Sequence, residues 1–367
     1  MTDKPLNIVI IGAGVMGACT AYYLSKNPSC TITLIEKTDI ACGASGKSGG
    51  FLALDWNDHS QYLGSFSRTS FKLHQELAKE LDGESQYGYR PLDTYSVVFD
   101  PKGKASKDSL DWTNPSRSIE QIGTKRTTAQ LHPGFFTRKL LEEAKRTGRV
   151  EIKIGRGVSK LIYENDRDIG GVVLEDGTEL RADRVVVAMG PWSGKLPLMN
   201  DTIPISGSHV HSIVLQPKDK IPGQALFTTI MHESKTFEPE VYPRSDETVY
   251  ICGASDKEPL PTSADQVVVD AKAIDALIHQ AGHISYKLSS QNAKLIKRQA
   301  CYLPISDETG APLIGPHASY KNLYLATGHS FWGILNSPIT GKMISEYLLD
   351  GQVSCVSQDV ASFFIPS

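Results

Sequence analysis

Hydrophobic and polar positions divide the chain into stretches of two kinds. At the front, the apolar run in NIVIIGAGVMGACTAYYLSK (7–26) reads as a buried strand that stops at Gly12 and passes into a helical pattern. A second β-rich run, CTITLIEK (30–37), follows at once. Helical spacing returns in SRTSFKLHQELAKEL (67–81) and FFTRKLLEEAKR (135–146), and ELRADRVVVAMGPWS (179–193) reads as a strand entering a turn at Gly190-Pro191. Between them YRPLDTYSVVFD (89–100), SGSHVHSIVLQP (206–217), KTFEPEVYPR (235–244) and ETVYICG (247–253) are β-patterned, predicting a second, mostly antiparallel sheet. DQVVVDAKAIDALIHQA (265–281) is the helix expected to cover it, and the polar stretch 100–126 reads as a surface loop. Ser337 and Pro338 read as the N-cap and first residue of a last helix that stops at Gly351.

Strand, glycines and helix at the front have the spacing of a Rossmann-type nucleotide fold. Gly12 allows the tight turn, Gly14 lets backbone approach a pyrophosphate, and Gly17 lets the helix pack closely on the strand. The helix N-terminus, with Val15 and Met16, meets the phosphates with its partial positive charge. Glu36 lies 22 residues after Gly14, where a carboxylate accepts both ribose hydroxyls and disfavours a 2'-phosphate, which argues against NADP. NAD and FAD both remain open on these residues. ACGASGKSGGF (41–51) is too rich in glycine and small hydroxyls for the interior of a helix or strand. It is either an exposed loop or a source of N–H groups and hydroxyls for a long ligand with a ring system beyond the pyrophosphate.

Composition narrows the partners. A chain of 367 residues with 40% hydrophobic and 22% charged residues is long enough for a two-lobed enzyme with a large core. A formal net charge of -3 gives no basic field for nucleic acid and no polybasic membrane patch. No apolar stretch approaches the roughly 20 residues of a membrane span. The six cysteines form no CxxC pair and no metal-ligand spacing, and no secretory signal stands at the front, so no metal is expected and the expected compartment is the cytoplasm.

The chain resembles the FAD-dependent oxidoreductases of the D-amino-acid oxidase family, which includes glycine oxidase and sarcosine oxidase. The resemblance rests on GAGVMG with Glu36, GASGKSGGF, QLHPGFFT (130–137), VVVAMGPWS (185–193), VYPRSDETVYICG (241–253), LPISDETGAPLIG (303–315) and GHSFWGILNSPITGK (328–342). It implies an α/β Rossmann-type FAD domain with a parallel sheet, from segments 1–85, 125–200 and 306–367, and an α+β substrate domain from 86–124 and 201–305. It implies non-covalent FAD held by Gly12, Gly14, Val15, Met16, Gly17, Glu36 and Lys37. Ala44, Ser45, Lys47, Ser48, Gly49, Gly50 and Phe51 continue the expected contact. Val158 would pack on adenine, Ala188, Gly190 and Trp192 would sit at the sheet crevice, and Gly328, His329, Phe331, Gly333 and Ile334 would hold the redox end. A helix N-terminus there stabilises the negative charge of reduced flavin near N1 and the C2 carbonyl.

Hydride transfer from a C–H beside a neutral amine needs orientation more than acid–base groups, so anchors are the residues to seek. Relatives that oxidise amino acids carry an arginine directly before a proline, and here Leu303 stands in that position. Arg244 and Arg298 are the possible substitutes, with Tyr242, Tyr302 and His329 as further substrate-side candidates. His209 and His211 share one face of a strand as cavity or core residues. Sarcosine-oxidase relatives carry a strand lysine near flavin N5 where this chain has Ile251, and a flavin-bonded cysteine near Cys301. The expected function is oxidation of a C–N bond in a small amine or amino acid. The alternative is a flavin-holding protein with a decayed pocket that serves protein assembly or trafficking; an NAD-dependent dehydrogenase leaves the C-terminal glycine turn unexplained.

Overall fold

The computed structural model describes residues 4–100, 102–232 and 235–366. The ends 1–3 and 367 of the expected FAD-domain segments, position 101 of the expected loop and positions 233–234 of the expected substrate segment lie outside them.

Leu6–Ile11 is a central strand of a six-stranded sheet. The order is Leu313–Pro316, Leu323–Thr327, Arg184–Val187, Leu6–Ile11, Cys30–Glu36 and Val150–Ile154, parallel except for the first, which is antiparallel to its neighbour. Both faces of this sheet are covered, which is why its strands read as continuous apolar runs. Ile8 and Ile10 pack with residues of the helices Val15–Ser25, Pro133–Arg146 and Gly333–Asp350. Val9 and Ile11 pack against a small antiparallel sheet of Val158–Tyr163, Ile169–Leu174 and Glu179–Arg181.

The second sheet runs Ala293–Ser306, Ile205–Pro217, Val249–Asp256, Glu240–Pro243, Gln224–His232, Asp93–Phe99 and Ser118–Gly123, with Lys235–Phe237 pairing to Gln224–His232. It is antiparallel except where Gln224–His232 and Asp93–Phe99 run side by side. Alternation decides its two faces. Ile213, Leu215, Leu226, Val241 and Ile251 pack under the helix Ala271–Ile284, while Val214, Ala225, Tyr242 and Tyr250 turn the other way, onto Phe51 and Trp332.

Four expected boundaries move. The covering helix begins at Ala271 and not at 265, because Asp270 is its N-cap, accepting the Lys272 N–H at 2.9 Å, and the preceding β-branched valines stay extended. The helix expected at 67 begins at Gln61 behind an N-cap serine, Ser60. The stretch expected as a plain loop contains the edge strand Ser118–Gly123, and Trp112 within it is buried with its indole N–H on Gln224 at 2.8 Å. The last helix starts at Gly333, so Pro338 lies inside it and Ser337 is no N-cap.

Pro338 has no N–H for the Ile334 carbonyl four residues back. The helix survives because its neighbour Gln61–Glu80 supplies donors: His74 Nε2 lies 2.9 Å from the Ile334 carbonyl and 3.1 Å from that of Leu335, and the Ser70 hydroxyl reaches Leu335 at 2.7 Å. Ser337 adds its own hydroxyl to Ile334 at 2.9 Å. Two carbonyl partners fix the proton of His74 on Nε2. Burial lowers its pKa from the ordinary 6.5 to about 4. Between those values the unfolded chain holds more protons than the folded one, so stability is full above 6.5 and falls as pH drops toward 4. His74→Ala is expected to cost about 2 kcal/mol at neutral pH by removing one of the two side-chain donors on each of these buried carbonyls and leaving a gap between the helices. In urea titrations at pH 7 and pH 5 the variant should also lose less stability on acidification than the parent.

Candidate functional site

A cavity of about 550 Å³ opens at the carboxyl ends of the parallel strands, where Ile11 and Ile35 give way to Gly12 and Glu36. Gly12 has φ +107° and donates its N–H to the Ile35 carbonyl at 2.8 Å; a Cβ there would lie 2.4 Å from the Ala188 oxygen. Only glycine fits. The Glu36 carboxylate accepts the N–H of Ala13 and that of Thr38, each at 2.8 Å, and so ties the glycine turn to the end of the second strand. Ser45 accepts the Val15 N–H at 2.9 Å, drawing the 41–51 segment over the first helix. That segment, expected without regular structure inside, contains the one-turn helix Ala44–Lys47 and leads into the strand Phe51–Ala53.

Of the expected cofactor residues, Gly12, Gly14, Val15, Met16, Glu36, Lys37, Ala44, Ser45 and Ser48 line the cavity from the front of the chain. Val158, Ala188, Gly190 and Trp192 line its middle, and His329, Phe331, Gly333 and Ile334 its far end. Gly17, Lys47, Gly49, Gly50, Phe51 and Gly328 are not in the wall. Gly17 instead packs the helix on the turn, where a Cβ would stand 2.0 Å from the Gly12 oxygen. Gly49 backs onto the Tyr242 ring, Gly50 onto the Leu131 carbonyl. Sequence reasoning missed Arg156 and Glu175 near Val158, and the 260–264 segment that lines one side; Pro261 accepts the Trp192 indole N–H at 2.7 Å.

His329 is the most constrained polar group. Thr340 donates its hydroxyl to the Asn336 carbonyl at 2.8 Å, so at 2.9 Å it accepts from His329 Nε2–H. The lone pair is therefore on Nδ1, which is buried and has no partner. Burial pushes the pKa of His329 down to about 3, keeping it neutral. Beside it the helix Gly333–Asp350 begins at the cavity with no side-chain cap, leaving N–H groups for a ligand. A glycine turn that no Cβ would fit, an unpaired buried acceptor and an uncapped helix start are what a dinucleotide with a hydrogen-bonding ring requires. The residues present fit FAD.

The other candidates are placed elsewhere. Tyr302 is 1% exposed and stacks on His209, with its hydroxyl on the Glu258 and Pro259 carbonyls at 3.1 and 2.7 Å, away from the cavity. Arg244 is buried, with its guanidinium 5.2 Å from the Tyr250 ring centre and Nη2 on the Ser48 carbonyl at 3.2 Å, so it braces the cavity wall and does not reach into it. Tyr242 gives its hydroxyl to Glu240 at 2.7 Å. Arg298 is exposed. Ile251 lies in the helix-covered core, and its strand neighbours Tyr250 and Cys252 turn to the opposite face, with Phe51 and Trp332. Burial raises the Cys301 thiol to about 11, so it stays protonated. Leu303 lines the cavity.

His209 and His211 gain a third neighbour that spacing in the sequence did not show. Strand register sets Asp256 opposite His209, 2.6 Å from its Nδ1. His209 Nε2 meets the Val268 carbonyl at 3.1 Å, and His211 Nε2 accepts the Asp270 N–H at 3.0 Å. His211 therefore carries its proton on Nδ1 and offers no metal a lone pair there. The cluster pins the start of the covering helix.

Comparison with known proteins agrees with this geometry. Residues 7–347 match the DAO family, described as FAD dependent oxidoreductase. A Schizosaccharomyces pombe protein provisionally named an oxidoreductase is 36% identical over 96% of this chain and 97% of its own. Glycine oxidase of Geobacillus kaustophilus is 23% identical over 93% of this chain and 92% of its own. The crystal structure of glycine oxidase from Geobacillus kaustophilus superposes with a TM-score of 0.78 at 18% identity, covering 98% of each chain. No helix among the described residues is long and apolar enough to cross a membrane. With the family profile spanning nearly the whole sequence, the chain belongs to the DAO family of FAD-dependent oxidoreductases.

Proposed function

We propose that this oxidoreductase oxidises a C–N bond of a small amine or amino acid, in a cofactor lobe of 1–85, 125–200 and 306–367 facing a substrate lobe of 86–124 and 201–305. The observation that carries the reading is the far end of the cavity. There a neutral histidine with a free Nδ1 and an uncapped helix start lie beside the aromatic face of the second sheet. FAD supplies the hydride acceptor there. His329 Nδ1 accepts a hydrogen bond from the ring system, the N–H groups at Gly333 and Ile334 oppose negative charge, and the sheet face excludes water from the reacting carbon. Gly12, Gly14, Val15 and Met16 cradle the pyrophosphate, and Glu36 with Val158 holds the adenosine end. Cys301 stays a buried thiol and the cofactor is non-covalent. All six cysteines are free, which supports a reducing, cytoplasmic setting.

Leu303 in the cavity wall favours a second reading, a flavin-holding protein without amine turnover. Anaerobic mixing with a panel of primary, secondary and cyclic amines and amino acids separates the two. Bleaching of the flavin band is expected; bound flavin that no member bleaches would leave the second reading standing. Glu36→Ala is expected to weaken FAD binding about 10- to 100-fold, the equivalent of one or two charge-assisted hydrogen bonds. Titration of apoprotein with FAD, followed by flavin fluorescence, measures it.

A further inference from the structure

Glu240 is absent from every motif that the sequence offers, yet the sheet places it on the face turned toward the flavin end of the cavity. Glu240, Tyr242 and Arg244 alternate onto that face, and Val241 between them is in the helix-covered core. Strand register sets Phe227 on one side of Glu240 and Cys252 on the other. Tyr242 and Phe227 are its direct neighbours, and with Phe51, Trp56 and Trp332 they form a cluster of five aromatic rings on this face. Phe51 lies 5.3 Å from Phe227 and 5.4 Å from Tyr242, and Trp56 lies 4.8 Å from Phe227 and 6.4 Å from Trp332, between ring centres. Trp332 immediately precedes the helix start at Gly333, and Gly49 backs directly onto the Tyr242 ring. The group does not line the cavity itself; it borders it through Trp332 and Gly49, whose chain neighbours Gly333 and Ser48 are in the wall.

The carboxylate is incompletely matched. One oxygen accepts the Tyr242 hydroxyl at 2.7 Å and the Cys252 thiol at 3.5 Å; the other has no protein partner, and no lysine, arginine or histidine pairs with Glu240 among the described residues. Burial raises its pKa, a tendency that the Tyr242 and Cys252 bonds partly offset. A half-buried carboxyl set among π faces lacks a counter-charge, and a cation supplies both the ion pair and the ring contacts. A carboxylate ligand would be repelled by the same group, and the arginine that would hold one is replaced by Leu303.

We propose that Glu240, on a sheet face shared with Phe51, Trp56, Phe227, Tyr242 and Trp332, is the recognition subsite for the ammonium form of the substrate, an amine with no carboxylate on the carbon next to nitrogen; the Glu240 carboxylate takes the ammonium proton, so that the neutral amine is the species oxidised. This rests on the reading of the chain as an FAD-dependent amine oxidoreductase and names its substrate class. The sequence left a small amine and an amino acid both open; Glu240 and Leu303 favour the amine.

The test uses the FAD-loaded full chain and a cation that has no nitrogen lone pair and so is not oxidised, tetramethylammonium. Binding is read from the fluorescence of Trp56 and Trp332 and from the flavin absorbance spectrum. Tetramethylammonium is expected to bind at least about tenfold more tightly than its neutral isostere tert-butyl alcohol or than acetate, and Glu240→Gln is expected to erase that preference while keeping FAD absorbance and melting temperature. Trp56→Leu gives the same loss through the ring wall if Glu240→Gln does not fold. Equal binding of cation and neutral isostere, tighter binding of acetate, or an unchanged preference in both variants overturns the proposal. The parent reading fails separately: cation selectivity with no amine able to bleach the flavin leaves the subsite standing and removes the enzyme. Amino acids that bleach parent and Glu240→Gln equally do the reverse.

Discussion

Three segments distant in sequence meet at Gly12, and the meeting is possible only because that position has no side chain. Its backbone touches the end of the second strand through Ile35 and the strand at Arg184–Val187 through Ala188, closer than any Cβ permits. Strand ends held this near form a narrow shelf of N–H groups at the crevice of the sheet. Glu36 and Ser45 then fix the loops above it, and the cavity takes its shape from that shelf. The far end depends on a different device. A helix broken by proline is repaired from its neighbour, so that its first turn can be spent on the cavity and left uncapped.

The parallel sheet was legible because both of its faces are buried, so continuous apolar runs and glycine turns marked its strands and crevice. The second sheet was legible as strands but not as two faces. Which of Tyr242, Ile251 or Tyr302 looks at the cofactor depends on register, and an offset of one residue reverses the answer. That offset took Ile251 into the helix-covered core and Tyr302 onto His209, and brought Glu240 forward. Helix starts were misread where local chemistry had a rival. Ser337-Pro338 has the letters of an N-terminus, but the donors on Gln61–Glu80 let the helix run through it. Trp112 likewise had no local signal, since its partner Gln224 is far along the chain.

The two sheets divide the work. One provides a rigid edge for an extended cofactor, and its residues are identified by backbone geometry. The other provides a side-chain surface, and its residues are free to vary without disturbing the fold. Family membership therefore speaks strongly about the first and weakly about the second. Leu303 and Glu240 both lie on the second, so membership of the family leaves the substrate open.

The segment around Pro261 is fastened twice, by the indole N–H of Trp192 in the turn after the strand Arg184–Val187 and by the Tyr302 hydroxyl of the strand Ala293–Ser306 at Glu258 and Pro259. It forms one wall over the cavity, and neither fastening involves a ligand. This wall is set before any ligand arrives, so contact with it adds little ordering cost to binding.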